Sequence, residues 1–306
     1  MAAAGGSKIA IYGAILGNFL VAVMKFVASF FTGSSAMLSE GIHSLIDTSN
    51  GLLLLYGIKQ STQMPDKHHP FGYGKEIYFW SFIVAIIIFA LGGGVAMYEG
   101  ILHVMHPVAQ NEDMMSWNYG VLVGAIFIES ATLYVAYQQF KKGNHKNIIT
   151  SIRKSKDAAT FAVLIEDAAA VTGLLFALIG IGLAHITGNP IYDGAASIAI
   201  GALLISVSFF LARETKALLI GESASEEDII LVKAVIGNYP IIKAYRNIKT
   251  MHMGPNEILL ALEVDFVDDI TSSKVEACIG EIDDILKEHN PKFNKIYIEA
   301  NNFVEE

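Results

Sequence analysis

Ser39-Glu40-Gly41-Ile42-His43-Ser44-Leu45-Ile46-Asp47 leads, within one apolar segment, to Gly51-Leu52-Leu53-Leu54-Leu55-Tyr56. At helical pitch, positions three, four and seven apart share a face. Glu40, His43 and Asp47 therefore form one stripe. Two carboxylates and an imidazole are costly in an apolar segment of this length. Ionisable groups at membrane depth face a bundle interior or a wet cavity and mark an ion or proton path. A lone membrane histidine is more often a packing residue. Two carboxylates on the same stripe point instead to a metal site in a membrane helix, with further ligands supplied from elsewhere in the chain.

The remaining sequence fits a polytopic membrane protein. Of 306 residues, 53% are hydrophobic and only 17% charged. Six segments reach the ~20 apolar residues that a spanning helix needs: 9–31, 36–58, 78–98, 117–138, 158–185 and 191–213. The connections after the first, third and fifth carry no Lys or Arg. The second is followed by Lys59, Lys67 and Lys75, the fourth by Lys141, Lys142, Lys146, Arg153, Lys154 and Lys156, and the sixth by Arg213 and Lys216. This bias places both termini in the cytoplasm. Lys25 lies inside the first helix, where it either snorkels to the outer interface, the commoner fate, or pairs with a buried carboxylate. The N-terminus lacks a basic region before a short apolar core. With no targeting signal in view, a prokaryotic inner membrane is the expected location. A net charge of −9, concentrated after residue 220, argues against a nucleic-acid partner. The single cysteine, Cys278, excludes an intrachain disulfide. No nucleophile elbow, phosphate loop or dinucleotide fingerprint points to an enzyme.

Two domains are expected, a transmembrane domain over 1–215 and a cytoplasmic domain over 216–306. In the second, Ser225-Glu226-Glu227-Asp228 caps a helix, Ile248–Met253 and Ile258–Phe266 read as strands, Ser272–Glu288 as a helix and Lys295–Glu299 as a last strand. The order is αββαβ, a small two-layer α+β unit of ferredoxin-like type.

Helix five carries Leu164-Ile165-Glu166-Asp167-Ala168-Ala169-Ala170, adjacent carboxylates that point about 100° apart. His43, Asp47 and Asp167 offer one nitrogen and several oxygens. Such a set suits a first-row divalent ion, with Zn2+ favoured by the imidazole. A site that must release its ion cannot bind it too tightly, and empty ligands can carry protons. Asn18 is either a helix–helix hydrogen bond or a ligand, and Glu129 either a proton relay or the partner of Lys25. Glu40 lies one turn nearer the outer side and reads as a path or auxiliary residue. In the loop after helix two, Asp66, His68 and His69 form a weaker metal-site candidate, weighed evenly against a structural loop. Glu99, His103 and His106 read as an interfacial polar patch ahead of a release site.

Taken together, Ser39–Asp47, Leu164–Val171, Glu129-Ser130-Ala131-Thr132-Leu133 and Gly188-Asn189-Pro190-Ile191-Tyr192-Asp193 resemble the cation diffusion facilitator family of zinc transporters, in the branch that includes the mitochondrial zinc transporter nine of animals. The resemblance implies a homodimer in a lipid bilayer that exports a divalent metal, most simply Zn2+, in exchange for protons by alternating access. Mn2+, Fe2+, Co2+ and Cd2+ remain open as substrates. A metal-binding membrane protein without net transport is the alternative. The family's two-ligand pattern maps onto His43 and Asp47 and onto Asp167. The remaining position falls on Val163, which cannot coordinate. Glu166, Glu40, Asn18 or water would complete the shell, with Glu166 favoured. In the tail, the family's ligand positions fall near Tyr245, Ala261 and Glu299, so dimerisation is expected there without a strong zinc cluster.

Overall fold

A computed structural model describes residues 3–107, 115–141 and 157–303. The chain divides into two compact units, one of residues 1–59 and 77–215, the other of 60–76 and 216–306. The loop after the second helix thus belongs with the C-terminal unit. The basic residues Lys142, Lys146, Arg153, Lys154 and Lys156 lie outside the described residues.

The first unit is helical. Helix α1 spans Ala3–Thr32 and α2 Ser35–Ser61, joined by a tight turn at Gly33 (φ 73°) and Ser34. Helix α3, Glu76–Ile87, runs through a π-helical segment, Ile88–Gly94, into α4, Val95–Met105. Helix α5 spans Met115–Lys141, α6 Ala158–Thr187 and α7 Ile191–Ile220. Helix α6 packs on α5, and α5 on α1. Five of the six expected spans are long and apolar enough to cross a membrane. The exception is α2. Its 27 residues reach about 40 Å at 1.5 Å per residue, ample for a ~30 Å hydrocarbon core. Its apolarity is diluted by the polar stripe it carries, and that stripe is buried: Ser39, Glu40, His43, Ser44, Thr48 and Asn50 all face inward.

Glycines set the spacing of α7 against the π segment and α4. A Cβ on Gly201 would lie 2.7 Å from the Met97 nitrogen and 3.0 Å from the Gly93 oxygen, while one on Gly100 would lie 2.6 Å from the Ile198 nitrogen. Gly93 with Gly201, and Gly100 with Gly194, approach each other reciprocally. Small residues let membrane helices meet backbone to backbone, where dispersion and weak polar contacts replace the missing hydrophobic drive. Ser197 Oγ donates to the Ala96 carbonyl at 3.1 Å across the same seam.

Position on the chain also explains the start of α2. Four amide groups at a helix N-terminus lack intrahelical partners. Here Asp193, from the first turn of α7, supplies the acceptor: its Oδ2 takes the Ser35 amide at 2.6 Å and the Ala36 amide at 3.4 Å, and its Oδ1 takes the Ser34 hydroxyl at 2.7 Å. Asp193 is fully buried. Lys25 does not snorkel. It is fully buried and pairs with Glu40 Oε2 at 3.0 Å, because the two lie opposite each other across the α1–α2 turn. Glu40, not Glu129, is therefore its ion-pair partner.

The second unit has the expected order: α8 (Glu226–Gly237), β1 (Ile242–Gly254), β2 (Glu257–Phe266), α9 (Ser272–His289) and β3 (Phe293–Ala300). The sheet order is β1-β2-β3, with β1 antiparallel and β3 parallel to β2. Ser225 caps α8 by accepting the Asp228 amide at 3.1 Å. Val232, Ile236, Leu260, Leu262, Ile282 and Phe293 form the core. Strand β1 begins six residues before the expected Ile248. A bulge with Asn247 at φ 52° shifts its register between Arg246 and Lys249, so the alternation that marks a strand is broken.

Replacing Gly201 with Leu forces the α7 seam apart. Overpacking of this kind costs roughly 1–3 kcal/mol or more, read as a lower thermal midpoint and loss of monodispersity in detergent. Gly120→Leu on α5, where nothing lies within 4 Å of the added carbon, is expected to leave both unchanged.

Candidate metal centre

Helix α2 brings His43 and Asp47 together. His43 Nδ1 lies 3.6 Å from Asp47 Oδ1, and both side chains are buried. Neither ring nitrogen of His43 has a hydrogen-bond partner, and Asp47 Oδ1 has none. Buried polar groups are nearly always paired, because an unmade hydrogen bond leaves the full desolvation penalty. Three unpaired donor or acceptor atoms in one place thus mark a position suited to a cation.

Helix α6 contributes from the facing side. Its Glu166 is buried, and Glu166 Oε1 accepts from Asn50 Nδ2 at 3.2 Å, which ties α6 to α2 one turn beyond Asp47. Glu166 and Asp167 both lie within electrostatic reach of Asp47, as does Glu129 of α5. Val163 is exposed on the outer side of α6. Glu129 is buried with its Oε1 unpaired, and the half-buried Asn18 likewise has an unpaired Oδ1. Among the described residues no three His, Cys, Asp or Glu side chains converge closely enough to hold one ion, in either unit. The α2 pair and the α6 carboxylates therefore face each other without closing into a shell.

Asn50 was not among the residues singled out from sequence. It lies three and seven positions after Asp47 and His43, so extending the stripe would have reached it. Asp193 appeared only inside a motif, and nothing local marks its tertiary role. His103, read as part of a surface patch, is instead buried, with Nε2 3.8 Å from Asp193 Oδ2, while His106 is exposed.

The loop triad is organised around Asp66. Its Oδ1 accepts the His68 and His69 amides at 2.8 and 2.6 Å, and its Oδ2 accepts the Tyr73 hydroxyl at 2.7 Å. The His69 and Tyr73 rings stack with centroids 4.2 Å apart. Asp66 thus directs both carboxylate oxygens into a turn, a use expected of an Asp beside Pro65. Lys75, in the same unit, points its ammonium at the Leu219 carbonyl, 3.5 Å away near the end of α7. In the tail, Glu263 accepts from Asn247 at 2.8 Å, and His289 hydrogen-bonds the Ile285 carbonyl at 2.9 Å.

The Tyr73 hydroxyl, together with the two amides, holds the Asp66 carboxyl below its ordinary range. A depressed carboxylate stabilises its fold above the ordinary pKa and loses that contribution as pH falls through the depressed one. Hydrogen exchange of the His68 and His69 amides, relative to the intrinsic rate at each pH, is therefore expected to stay slow from neutral pH down past the ordinary aspartate pKa of ~3.9 and to rise only below it. Tyr73→Phe should move that rise to higher pH, and Asp66→Asn should abolish it.

Residues 11–220 match the cation efflux transmembrane domain. The chain is 38% identical over 256 residues to the Xenopus laevis protein named proton-coupled zinc antiporter SLC30A9, mitochondrial, covering 83% of this chain and 45% of that one. It is 35% identical over 263 residues to Arabidopsis thaliana metal tolerance protein C4, covering 85% and 57%. It is 26% identical over 298 residues to the Bacillus subtilis manganese efflux system protein MneP, covering 96% and 95%. The chain thus spans about half the length of the zinc-antiporter relatives it matches.

Proposed function

The chain belongs to the cation efflux family, a family of multi-pass membrane transporters rather than enzymes, and from that premise we propose that it carries a divalent metal, Zn2+ first, across the membrane in exchange for protons. His43, Asp47 and Asp167 take the ion, and Glu166 supplies the fourth donor where Val163 cannot. The observation that carries this reading is His43: a buried imidazole with both nitrogens unpaired, beside an unpaired Asp47 oxygen. The names of the zinc-antiporter relatives support zinc and proton coupling. The name of the Bacillus relative makes Mn2+ the second ion to test.

Transport follows from the chemistry of the ligands. The ion approaches α2, and the α6 carboxylates would close on it as the ion's water ligands are exchanged for protein donors. Asp47 and Asp167 must be deprotonated to bind the ion and can take up protons once it leaves. Alternating access exposes that exchange to one side at a time. Both termini lie in the cytoplasm, as the Lys and Arg distribution supports, and the protein works as a homodimer joined through its C-terminal unit. The exposed Tyr297 beside its register partner Ala261 leaves an apolar patch on the sheet face opposite the core. The membrane is one with a standing proton gradient. The relatives named mitochondrial move the expectation away from a prokaryotic inner membrane and toward an organelle.

In proteoliposomes with an internal pH dye, a zinc gradient should drive proton flux in the parent. His43→Ala and Asp47→Asn should each lower the initial rate at least ~10-fold, since losing even a residue that only orients a ligand costs about that much. Equal rates in parent and variants under the same gradient would remove His43 and Asp47 from the path.

A further inference from the structure

Among the described residues, Lys25 is the only lysine or arginine that is fully buried. Its ammonium donates to Glu40 Oε2 at 3.0 Å and to Ser44 Oγ at 2.7 Å. Ser44 is the residue after His43, and Glu40 lies one turn before it on the same stripe. Lys25 is within electrostatic reach of His43, Asp47 and Glu129 as well as Glu40. The second Glu40 oxygen, Oε1, has no hydrogen-bond partner and abuts Gly173 of α6, two turns along from Glu166. Glu40 thus sits between the two helices that carry the site, with one oxygen committed to Lys25 and the other free.

We infer that Lys25 acts as a positioning residue that withholds Glu40 from the metal and so keeps the transported ion weakly held. The inference rests on the metal site proposed above. Metal sites gain affinity with each added carboxylate. A carboxylate at Glu40, one turn from His43, would raise the negative charge around a divalent ion in a poorly screened interior, where such interactions are strong. The Lys25 ammonium opposes this twice. It neutralises Glu40, and it places a positive charge near the ion. A salt bridge serving packing alone predicts that loss of either partner weakens the protein and its site alike, since each leaves an uncompensated buried charge. A withholding pair predicts effects of opposite sign.

The test is zinc titration of the detergent-purified full chain by calorimetry, for the parent, Lys25→Met, Glu40→Gln, the double variant and His43→Ala. Lys25→Met is expected to lower the zinc Kd by about tenfold or more, the scale of one poorly screened charge interaction, and to slow zinc-driven proton flux at saturating zinc. Glu40→Gln is expected to raise the Kd, because Lys25 is then unopposed. The double variant should return close to the parent. Where Lys25→Met does not fold, the double variant must bind zinc more tightly than Glu40→Gln. The inference is overturned if Lys25→Met binds no more tightly than the parent, if its tightening survives the added Glu40→Gln, or if the double variant fails that comparison. A His43→Ala Kd equal to the parent's overturns the proposed metal site itself, whatever the Lys25 variants do.

Discussion

The Asp193 carboxylate, closed over the first amides of α2, is the contact on which the membrane unit depends. Helix α2 is the most polar of the spanning helices, so its own apolar surface is a weak guide to its depth and rotation. A carboxylate from α7 fixes its first turn instead, reinforced by the hydroxyls of Ser34 and Ser35. The position of Asp193 in turn depends on α7, which glycine-to-backbone contacts press against the π segment and α4. His43 and Asp47 inherit their placement from this series. A π-helical segment beside it is in keeping, since such irregular turns gather at functional positions. Gly92, within the segment, meets Ile46 and Leu204.

Charge arrangement is the second organising principle. Glu40, Asp47, Glu129 and Glu166 are buried, and Asp167 is half-buried. Among the described residues a single fully buried ammonium, that of Lys25, faces them. The Asn50 amide and the Lys25 ammonium engage two of these carboxylates, and Glu129, Glu166 and Asp167 all lie within electrostatic reach of Asp47. A region so rich in carboxylate, at membrane depth, suits cations that visit and leave, whether protons or metal.

Much of this was legible in sequence. Run length and apolarity define the spans, and the stripe of Glu40, His43 and Asp47 emerges from helical pitch alone. The αββαβ order follows from one capping sequence and two periodicities. What sequence does not carry is which buried group faces which. Periodicity assigns Lys25 to a helix without saying whether it leaves for the interface, and only the tight turn at Gly33 sets it against Glu40. Asp193 and Ser35 are separated by 158 positions, so nothing local links them. The first part of strand β1 is hidden from the sequence because a bulge at Asn247 breaks the alternation by which strands are recognised. In the loop, Asp66, His68 and His69 have the composition of a metal cluster, and sequence alone does not show that the carboxylate also accepts from the His68 and His69 amides and the Tyr73 hydroxyl.

The turn at Gly33 has one further consequence, for the way the chain enters a membrane. Lys25 and Glu40 face each other across a hairpin of two helices joined by two residues. Contacts so close in sequence need little loop closure. A lone lysine at the centre of a lipid bilayer costs roughly 3 kcal/mol on insertion scales, and a lone glutamate adds to that. Closed against each other, they pass into lipid as one neutral pair. The Lys25–Glu40 pair can thus close before α6 or α7 has been synthesised, and the lysine enters the bilayer already neutralised, while the first turn of α2 waits for Asp193.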